Sequence, residues 1–343
     1  MHVHTLIIGA GPGGLSCAAK LAEQGVESLV LERKKQIGSK VCAGGITWSG
    51  LISRVPETLV EKSFPSQYIR TPLQKVTIEE DKPIIATVNR IKLGQHMADQ
   101  AKQAGAMLRT NTLVRSIKKN SLLIEDRECG KQEEIHFTNL VGADGSNSLV
   151  RRYLRLPCEQ VGLGINYMVP GDLKRMEWHL NNSFFANGYG WIFPHQDVFS
   201  IGAYADRSAI SPSSLKANLI RWAAEQGVRL EDQELSAEPI NYDFRGWNFG
   251  NIFLIGDAAG LASGLTGEGI YPAIVSGEEV AATIIDPSRR SSTMDQLISR
   301  HRKHTQLVTL SGKNGFLNTI LSELVTLGLR SGMVSFNKLE MAG

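Results

Sequence analysis

The first thirty residues alternate between apolar runs and glycines in the pattern of a βαβ unit. Residues 3–8 are aliphatic or β-branched almost throughout, which indicates a parallel strand buried on both faces. Small and apolar residues then recur at helical spacing from about Gly13, and Gly25 ends the helix. Residues 28–31 are apolar again and predict a second buried strand beside the first.

After this unit the spacing of the hydrophobic residues changes several times along the chain. The pattern predicts, in order, a strand-rich segment (66–89), a helix (93–104), a strand (107–114), a polar β-meander (117–138) and a strand (140–142). Residues 157–248 contain short strands with aromatic residues, which predicts a second, mostly antiparallel sheet. Residues 251–285 return to the order strand, glycine loop and helix, and the tail has a helical pattern.

These elements predict an α/β fold with a discontinuous Rossmann-like domain, a mostly antiparallel substrate-binding sheet domain and a helical C-terminal tail. Neither a repeat nor a low-complexity linker separates them, so we expect the two domains to share an extensive interface. The predicted boundaries are 1–65, 90–156 and 249–290 for the Rossmann-like domain, 66–89 and 157–248 for the sheet domain, and 291–343 for the tail.

Composition narrows the class of protein. Of the 343 residues, 42% are hydrophobic and 21% are charged, which is typical of a globular protein. The net charge of +3, without a basic tract that contains aromatic residues, argues against nucleic-acid binding. Four scattered cysteines and no His/Cys cluster predict free thiols and no metal site. Because neither a signal peptide nor an apolar run of about 18 residues is recognisable, we expect a cytoplasmic protein without a transmembrane segment.

Three glycine motifs follow predicted strands. Gly9-Ala-Gly-Pro-Gly-Gly14 has the spacing of a dinucleotide turn, in which the first glycine allows a tight bend, the second lets a pyrophosphate approach and the third lets helix and strand pack closely. Gly142-Ala-Asp-Gly145 and the Gly256-Asp257 pair are the second and third motifs. One such motif is weak evidence, but three in this order predict bound FAD.

Acidic residues complete the predicted nucleotide site. Glu32 ends the second strand, where its carboxylate can accept both ribose hydroxyls and repels a 2′-phosphate, so the nucleotide is FAD or NAD rather than NADP. We expect Asp257 to contact the cofactor, whereas Asp144 is equally consistent with contact and with capping of the next helix. The glycine loop after Asp257 and the helix N-terminus near Ile270 would favour flavin reduction, because they stabilise negative charge on the pyrimidine edge.

With Arg90 between them, these motifs resemble the FAD-dependent fold shared by aromatic hydroxylases, halogenases and geranylgeranyl reductases. Two further motifs favour the last family. Lys40-Val-Cys-Ala-Gly-Gly45 is similar to its Cys-x-Gly-Gly element, and Tyr189-Gly-Trp-Ile-Phe-Pro194, followed by Gly202, is similar to its Tyr-x-Trp-x-Phe-Pro…Gly signature. The resemblance covers residues 1 to about 290.

The resemblance implies an activity and a set of cofactor contacts. Members of this family reduce isolated double bonds in prenyl chains, in archaeal ether lipids and in the chlorophyll side chain. The implied FAD contacts are Gly13, Glu32, Cys42, Ala43, Gly45, Arg90, Val114, Asp257, Gly269 and Ile270. The glycine motifs and their neighbours add Gly9, Gly11, Gly14, Arg33, Asp144, Gly256 and Gly267 to the candidates. FAD should be bound non-covalently, since no His or Cys lies in an attachment context, and NAD(P)H and ferredoxin are the candidate external electron donors.

Two sets of side chains are candidates for the chemistry itself. Cys42 precedes two glycines, so its thiol could protonate a reacting carbon near the flavin; alternatively it is a small buried hydrophobic residue. Tyr189, Trp191 and Phe193 alternate along a strand and face one side, where they form ordinary core, an apolar wall for a hydrocarbon substrate, or both. His195, beside this motif, is expected in a loop.

Leucines recur at helical spacing in the C-terminal segment between Gly315 and Val334. This pattern favours a helix packed on its own protein. A helix that rests on a membrane is the alternative, because prenyl substrates reside in bilayers. We therefore expect an apolar small-molecule substrate, no nucleic acid and, in the alternative, peripheral membrane contact, with the oligomeric state left open.

We predict an FAD-dependent oxidoreductase that reduces carbon–carbon double bonds of a prenyl, geranylgeranyl-type or similarly apolar substrate by hydride transfer from reduced flavin. The chain has no second dinucleotide motif, so a nicotinamide donor would bind transiently. A flavin-dependent monooxygenase or halogenase of the same fold is the first alternative, because residues 189–194 partly match a Trp-x-Trp-x-Ile-Pro element of halogenases. The second is a non-enzymatic FAD-binding redox partner protein.

Overall fold

The N-terminal βαβ unit has its predicted form in the structure, a computed structural model that describes residues 1–40, 42–47, 54–311, 315–335 and 340–342. Its first strand pairs with its second in parallel, and the second is buried along its whole length. The helix between them is followed by Gly25, whose φ of 71° is the left-handed conformation typical of a helix C-terminus.

The described residues contain the following elements in chain order. The strands are β1 (His2–Ile8), β2 (Ser28–Leu31), β3 (Gly45–Thr47), β4 (Val60–Phe64), β5 (Ser66–Arg70), β6 (Lys75–Glu79), β7 (Ile85–Val88), β8 (Met107–Arg109), β9 (Thr112–Ile117), β10 (Ser121–Asp126), β11 (Gln132–Gly142), β12 (Val161–Pro170), β13 (Met176–His179), β14 (Tyr189–Pro194), β15 (Val198–Asp206), β16 (Ser236–Asn241), β17 (Asn248–Phe249) and β18 (Ile252–Leu254). The helices are α1 (Pro12–Glu23), α2 (Arg90–Gln103), α3 (Leu149–Tyr153), α4 (Asn182–Phe185), α5 (Pro212–Glu225), α6 (Gly256–Ala259), α7 (Ile270–Ile285), α8 (Ser292–Ser311) and α9 (Gly315–Arg330), with a 3₁₀ turn at Glu57–Leu59.

Among the described residues, the first sheet has eight strands, and the strands at its centre are parallel. Its order is β17-β18-β11-β1-β2-β8; β18 to β8 run parallel, and β10 and β9 extend β11 in antiparallel fashion. Ile8 pairs with Gly142, and Gly142 pairs with Leu254. The three predicted glycine motifs therefore lie side by side at the carboxyl ends of the parallel strands, which is where ligands bind in sheets of this kind.

The second sheet, in the part of the chain that the structure describes, has seven strands in the order β16-β12-β15-β14-β13-β5-β6. All its pairs are antiparallel except β13 with β5, which agrees with the predicted mostly antiparallel sheet. The predicted segment 66–89 is divided, however, because β7 pairs with β3 and β4 in a separate sheet. The predicted α/β class, with a nucleotide-type sheet and an antiparallel sheet, is confirmed.

Two strand predictions in the first sheet differ from the structure. Residues 107–114 were predicted as one strand but form the end-to-end pair β8 and β9, because Asn111 between them adopts a left-handed φ of 54°. The last strand of the polar meander and the predicted strand 140–142 are one element, β11. The first half of β11 pairs with β10 in the solvated part of the sheet, and its second half pairs with β1 in the buried part.

The described part of the predicted helical tail consists of α8 and α9, followed by turns; residues 312–314, 336–339 and 343 of that prediction lie outside the described residues. Met294 and Leu297 of α8 belong to the core of the first sheet. Leu329 of α9 belongs to the same cluster as Trp191 and Phe193 of the second sheet. Within the described ranges, none of the helices combines the length and the apolar character that a membrane span requires.

Candidate functional site

A mostly apolar cavity lies where the glycine loops of the first sheet meet the aromatic face of the second sheet. Residues far apart in the sequence converge there because the first sheet contributes the loops at the ends of its strands and the second sheet contributes one face. The predicted site residues that line it are Gly11, Gly13, Cys42, Ala43, Gly45, Arg90, Tyr189, Trp191, Phe193, Gly256, Asp257, Gly267, Gly269 and Ile270.

The glycines of the first motif have different surroundings. A Cβ atom added at Gly14 would lie 2.0 Å from the Gly9 carbonyl oxygen, and one added at Gly9 would lie 2.3 Å from that of Ala143. Gly9 and Gly14 therefore serve close packing of the backbone. A Cβ atom at Gly11 would meet no described atom within 4 Å, and Gly11 lines the cavity at the N-terminus of α1. This open space beside free helix amides fits a pyrophosphate group.

Arg90 lines the same cavity from the first position of α2. Its Nε and Nη1 atoms are buried, and neither has a hydrogen-bond partner in the part of the chain that the structure describes. Burying cationic donors is costly unless they meet an anion. The Arg90 donors and the open backbone at Gly11 thus fit the diphosphate of the FAD that the motifs predict.

Asp257 lies at the start of α6 and also lines the cavity. Its Oδ2 atom accepts hydrogen bonds from Lys40 Nζ at 2.7 Å and from Ser146 Oγ at 3.1 Å. Burial alone would lower the pKa of the Lys40 ammonium, but the carboxylate of Asp257 outweighs it and the net shift is upward. Lys40, which precedes the Cys-x-Gly-Gly motif, is therefore a charged residue of the site that the sequence prediction missed.

Asp144 and Glu32 lie outside this cavity lining. Asp144 Oδ2 accepts hydrogen bonds from the backbone amides of Leu149 at 2.6 Å and Val150 at 3.4 Å, so Asp144 helps to cap α3 together with its N-cap residue Ser148, and burial raises the pKa of the Asp144 carboxyl. Of the two predicted roles the structure therefore shows capping, and cofactor contact stays a prediction. Glu32 accepts hydrogen bonds from two backbone amides at 2.9 Å each, one of them in the Gly9–Gly14 turn.

Two other predicted contacts lie on the first sheet away from the cavity. The Arg33 side chain is exposed, and its carbonyl oxygen accepts a hydrogen bond from Arg127 at 3.0 Å. Val114 is partly buried on β9, where it packs against the core of the first sheet. Their assignment as cofactor contacts stays a prediction.

The Cys-x-Gly-Gly segment packs against the end of β14. A Cβ atom at Gly45 would lie 2.8 Å from the Phe193 ring, and one at Gly44 would lie 2.4 Å from the His195 ring. His195 follows β14 in a loop, as expected, but it is buried: Nε2 lies 2.9 Å from the Ala43 carbonyl oxygen and Nδ1 lies 2.5 Å from the Glu61 carboxylate. These contacts fix the loop that brings Cys42 to the cavity.

The aromatic residues of β14 lie on one face, as predicted. Tyr189, Trp191 and Phe193 line the cavity, whereas Ile192 belongs to the core cluster on the opposite face of the sheet. A Cβ atom at Gly202 would lie 2.3 Å from the Trp191 ring, which explains why the signature ends in glycine.

Two more aromatic residues of the cavity were missed by sequence reasoning. Trp178 on β13 lies 5.9 Å from Tyr189 and 6.5 Å from Phe193, measured between ring centroids. Tyr204 on β15 lies 5.8 Å from Tyr189. Neither residue belongs to a motif, because each reaches the cavity through pairing of its strand with β14. The five rings together form one continuous apolar surface.

The loop between Ser263 and Gly269 is fixed by polar groups around it. The hydroxyl of Tyr204 donates to the carbonyl oxygen of Gly264 at 2.8 Å, and that of Tyr189 donates to the carbonyl oxygen of Thr266. Burial raises the pKa of both tyrosines, so both hydroxyls stay protonated as donors. Both tyrosine hydroxyls therefore bind the loop, while the rings of the same two residues present apolar surface to the cavity.

An acidic residue of this loop, Glu268, also lines the cavity. Its Oε2 atom accepts a hydrogen bond from the Met341 amide at 2.9 Å, while Oε1 is buried and has no partner among the described residues. Burial raises the pKa of the carboxyl to about 7. No sequence signal marks this residue, because a glutamate between two glycines is usually solvated.

Two buried histidines beside this loop make the stability of the protein depend on pH. His304 Nδ1 lies 2.8 Å from Ser263 Oγ, and burial lowers the pKa of both His301 and His304 from 6.5 to about 4. Between these values the unfolded chain binds more protons than the folded one. Glu268, whose pKa is raised to about 7, acts in the opposite direction, but the two histidines outnumber it. We therefore expect the free energy of unfolding to fall as the pH falls from about 6.5 towards 4, with each histidine contributing up to roughly 1.4 kcal/mol per pH unit.

Urea unfolding at a series of pH values measures this dependence. The variant His304→Gln keeps a hydrogen-bonding partner for Ser263 and should show a shallower fall, whereas His2→Gln, at an exposed position, should follow the wild type. A His304→Gln variant whose free energy of unfolding falls with pH as steeply as that of the wild type would contradict the burial of a neutral His304.

The sequence of this chain is similar to those of known FAD-binding proteins. Residues 2–306 match the family model described as an FAD-binding domain. A digeranylgeranylglycerophospholipid reductase of Methanosphaera stadtmanae is 26% identical over 294 residues, which make up 79% of this chain and 75% of the relative.

Two solved structures share the fold. A geranylgeranyl bacteriochlorophyll reductase-like protein from Thermoplasma acidophilum superposes with a TM-score of 0.83 at 21% identity, covering 99% of this chain and 95% of that one. A flavin-dependent brominase superposes with a TM-score of 0.69 at 16% identity, covering 100% and 96%. The predicted cofactor FAD and the predicted resemblance are confirmed. The chain therefore belongs to the FAD-binding domain family, is an FAD-dependent oxidoreductase and is similar to geranylgeranyl reductases.

Proposed function

We propose that this protein reduces carbon–carbon double bonds of a prenyl, geranylgeranyl-type or similarly apolar substrate. The supporting observation is a single mostly apolar cavity with the glycine motifs on one side and five aromatic side chains on the other: Trp178, Tyr189, Trp191, Phe193 and Tyr204. An isolated alkene has no hydrogen-bonding group, so its affinity must come from buried apolar surface. The relatives named as prenyl-lipid reductases support the same substrate class.

We further propose how the chain binds FAD without a covalent bond. Gly11 and the N-terminus of α1 would contact the diphosphate together with Arg90, and Glu32 would bind the adenosine ribose. Asp257 and the N-terminus of α7 would lie at the flavin end. When bound and reduced by an external donor such as NAD(P)H or ferredoxin, FAD supplies the hydride for a carbon–carbon double bond.

The protein's own residues would orient the substrate and exclude water. The rings of Trp191 and Phe193 present a fixed surface, because the Trp191 indole donates to Ser200 Oγ at 3.0 Å and Phe193 packs on Gly45. Cys42 reaches the same cavity, and its Sγ atom accepts a hydrogen bond from the Gly44 amide at 3.4 Å. Its thiol is one candidate source of the proton that completes the reduction.

The variant Glu32→Ala tests the adenosine end of the proposed site. Loss of the carboxylate removes a charged acceptor for the ribose and frees the two amides that it contacts. We expect FAD affinity to fall by roughly 1–3 kcal/mol, the usual scale for a hydrogen-bonded charge. Titration of the FAD-free protein with FAD, followed by flavin fluorescence, measures the affinity; Glu27→Ala, at an exposed position just before β2, is the control. An unchanged affinity would rule out Glu32 as the ribose partner.

A flavin-dependent monooxygenase or halogenase is the second candidate, because a brominase shares the fold over the whole chain. The two candidates differ in the oxidant that the reduced protein consumes. Product analysis separates them: reduced protein is incubated without oxygen with a geranylgeranyl lipid, and in parallel with air, halide and an aromatic compound. A mass gain of two hydrogens per double bond supports the reductase, whereas a hydroxylated or halogenated aromatic product would overturn it.

We propose that the predicted sheet domain, residues 66–89 and 157–248, binds the substrate, while the predicted Rossmann-like domain binds FAD. We also propose that the protein is cytoplasmic and contacts the membrane peripherally. Helix α9 packs through Leu329 beside Trp191 but exposes Leu317, Leu324 and Leu327. An exposed apolar stripe beside the aromatic cavity supports peripheral contact with a bilayer. Co-sedimentation with lipid vesicles that Leu324→Glu does not reduce would contradict it.

A further inference from the structure

The loop that carries Glu268 has a fixed backbone. The Ser263 amide donates to the Glu268 carbonyl oxygen at 2.8 Å, and the Gly267 amide donates to the Ser263 carbonyl oxygen at 2.9 Å. Gly267 adopts a left-handed φ of 68°, which sets the direction in which the next residue leaves the turn. The Glu268 side chain is therefore placed at the cavity by a closed turn, next to the tyrosine that donates to Thr266.

The two carboxyl oxygens of Glu268 are in different environments. Oε2 accepts a hydrogen bond from the Met341 amide, whereas Oε1 is buried and unpartnered within the described ranges. A buried ionised oxygen without a donor is unfavourable, but a carboxylic acid can place its proton there and donate it. The geometry thus favours an acid with one free O–H group at an apolar cavity.

Burial and three neighbouring groups determine the pKa of the Glu268 carboxyl. Burial has the largest effect and raises its pKa to about 7; the Met341 amide lowers it, the Glu340 carboxyl raises it and Arg300 lowers it. Glu340 is itself buried and lines the cavity, and Tyr189 faces Glu268 from β14. A carboxyl that is half protonated at neutral pH is suited to general acid catalysis.

We propose that Glu268 is the general acid of the double-bond reduction, an inference that rests on the function proposed above. One alkene carbon takes the hydride that reduced FAD supplies, and the other takes the carboxyl proton of Glu268. The π bond breaks and two C–H bonds form; both electrons come with the hydride and are replaced by the external donor. Glu268 is left as a carboxylate and takes a proton from water. Cys42 is less suited, because a thiol is a weak hydrogen-bond donor.

The variant Glu268→Gln tests this role, because glutamine keeps the size of the side chain and an acceptor for the Met341 amide. We expect alkene reduction to fall about 100-fold or more, the scale of general acid catalysis, with FAD affinity unchanged. In the wild type the rate should fall above pH 7, where the acid is ionised, and the variant should lack this decrease. Glu268→Asp, which keeps an acid, should recover part of the rate. Glu231→Gln, an exposed position, is the control.

Infrared spectroscopy gives a readout that does not depend on turnover. The wild type should show the C=O stretching band of a protonated carboxyl that disappears as the pH rises through about 7, and Glu268→Gln should lack it. A variant rate within about twofold of the wild type, or the absence of the band, would overturn the inference. If the wild type reduces no alkene but the band is present, the proposed function fails while the protonated acid stands.

Discussion

Replacing Gly11 by alanine is expected to weaken FAD binding about 30- to 100-fold, roughly 2–3 kcal/mol, while leaving the FAD-free protein folded. The reason is the open space at this glycine, where an added Cβ atom meets no described atom within 4 Å but projects into the cavity. The methyl group would occupy the place through which the pyrophosphate approaches the backbone. Flavin titration of the FAD-free variant measures the loss, and urea unfolding should show a change in stability of no more than about 1 kcal/mol.

Gly14→Ala is the matched variant. Its Cβ atom would lie 2.0 Å from the Gly9 carbonyl oxygen, so the strand and helix must separate and the protein itself should lose stability. The same substitution in one motif is thus expected to affect the ligand at Gly11 and the fold at Gly14. If Gly11→Ala binds FAD as tightly as the wild type, the diphosphate does not lie beside Gly11.

Replacing Trp191 by leucine is expected to weaken binding of a geranylgeranyl compound about 10-fold or more, but that of a short prenyl analogue about twofold at most. In the wild type affinity should rise with chain length, because each buried methylene contributes about 0.8 kcal/mol before association costs. Trp191 is a large part of the surface that would cover a long chain. Binding is measured for a series of prenyl lengths with the flavin oxidised, so that no turnover occurs.

Trp222→Leu is the control for the loss of a buried tryptophan. Trp222 lies in the core on the other face of the second sheet, 5.3 Å from the Phe185 ring centroid. Both substitutions should destabilise the fold by roughly 2–4 kcal/mol, but only Trp191→Leu should change the dependence on chain length. Equal losses for long and short compounds in Trp191→Leu would show that the aromatic surface is core rather than a substrate wall.

Much of the nucleotide domain could be predicted from the sequence, because its signals are local. An apolar strand that ends in glycine is visible at each of the three motifs, and the parallel pairing of Ile8 with Gly142 and of Gly142 with Leu254 brings them together. The prediction of one strand over residues 107–114 was wrong, because Asn111 adopts a left-handed φ and divides the segment into two strands. Asparagine tolerates this conformation but does not require it, so the sequence alone does not reveal the break.

The parts of the site that were missed depend on contacts between distant segments. Trp178 and Tyr204 reach the cavity because their strands, β13 and β15, both pair with β14, and such pairing leaves no motif in the sequence. Glu268 becomes buried because a C-terminal segment covers it, as the hydrogen bond from Met341 shows. Its local sequence, Gly-Glu-Gly, is that of a solvated turn. The function of a loop residue of this kind therefore emerges only when the covering segment is known.

The most direct test of the proposed function is the anaerobic reoxidation of the reduced flavin by an alkene. Purified protein with bound FAD is reduced without oxygen and mixed with a geranylgeranyl lipid, and the return of the oxidised flavin spectrum is followed. The fully saturated phytanyl analogue, which is nearly equal in size, is the control. We expect the geranylgeranyl compound to reoxidise the flavin and the phytanyl compound to leave it reduced. A flavin that stays reduced with both compounds, but is reoxidised by oxygen with formation of a hydroxylated or halogenated product, would contradict the proposed function.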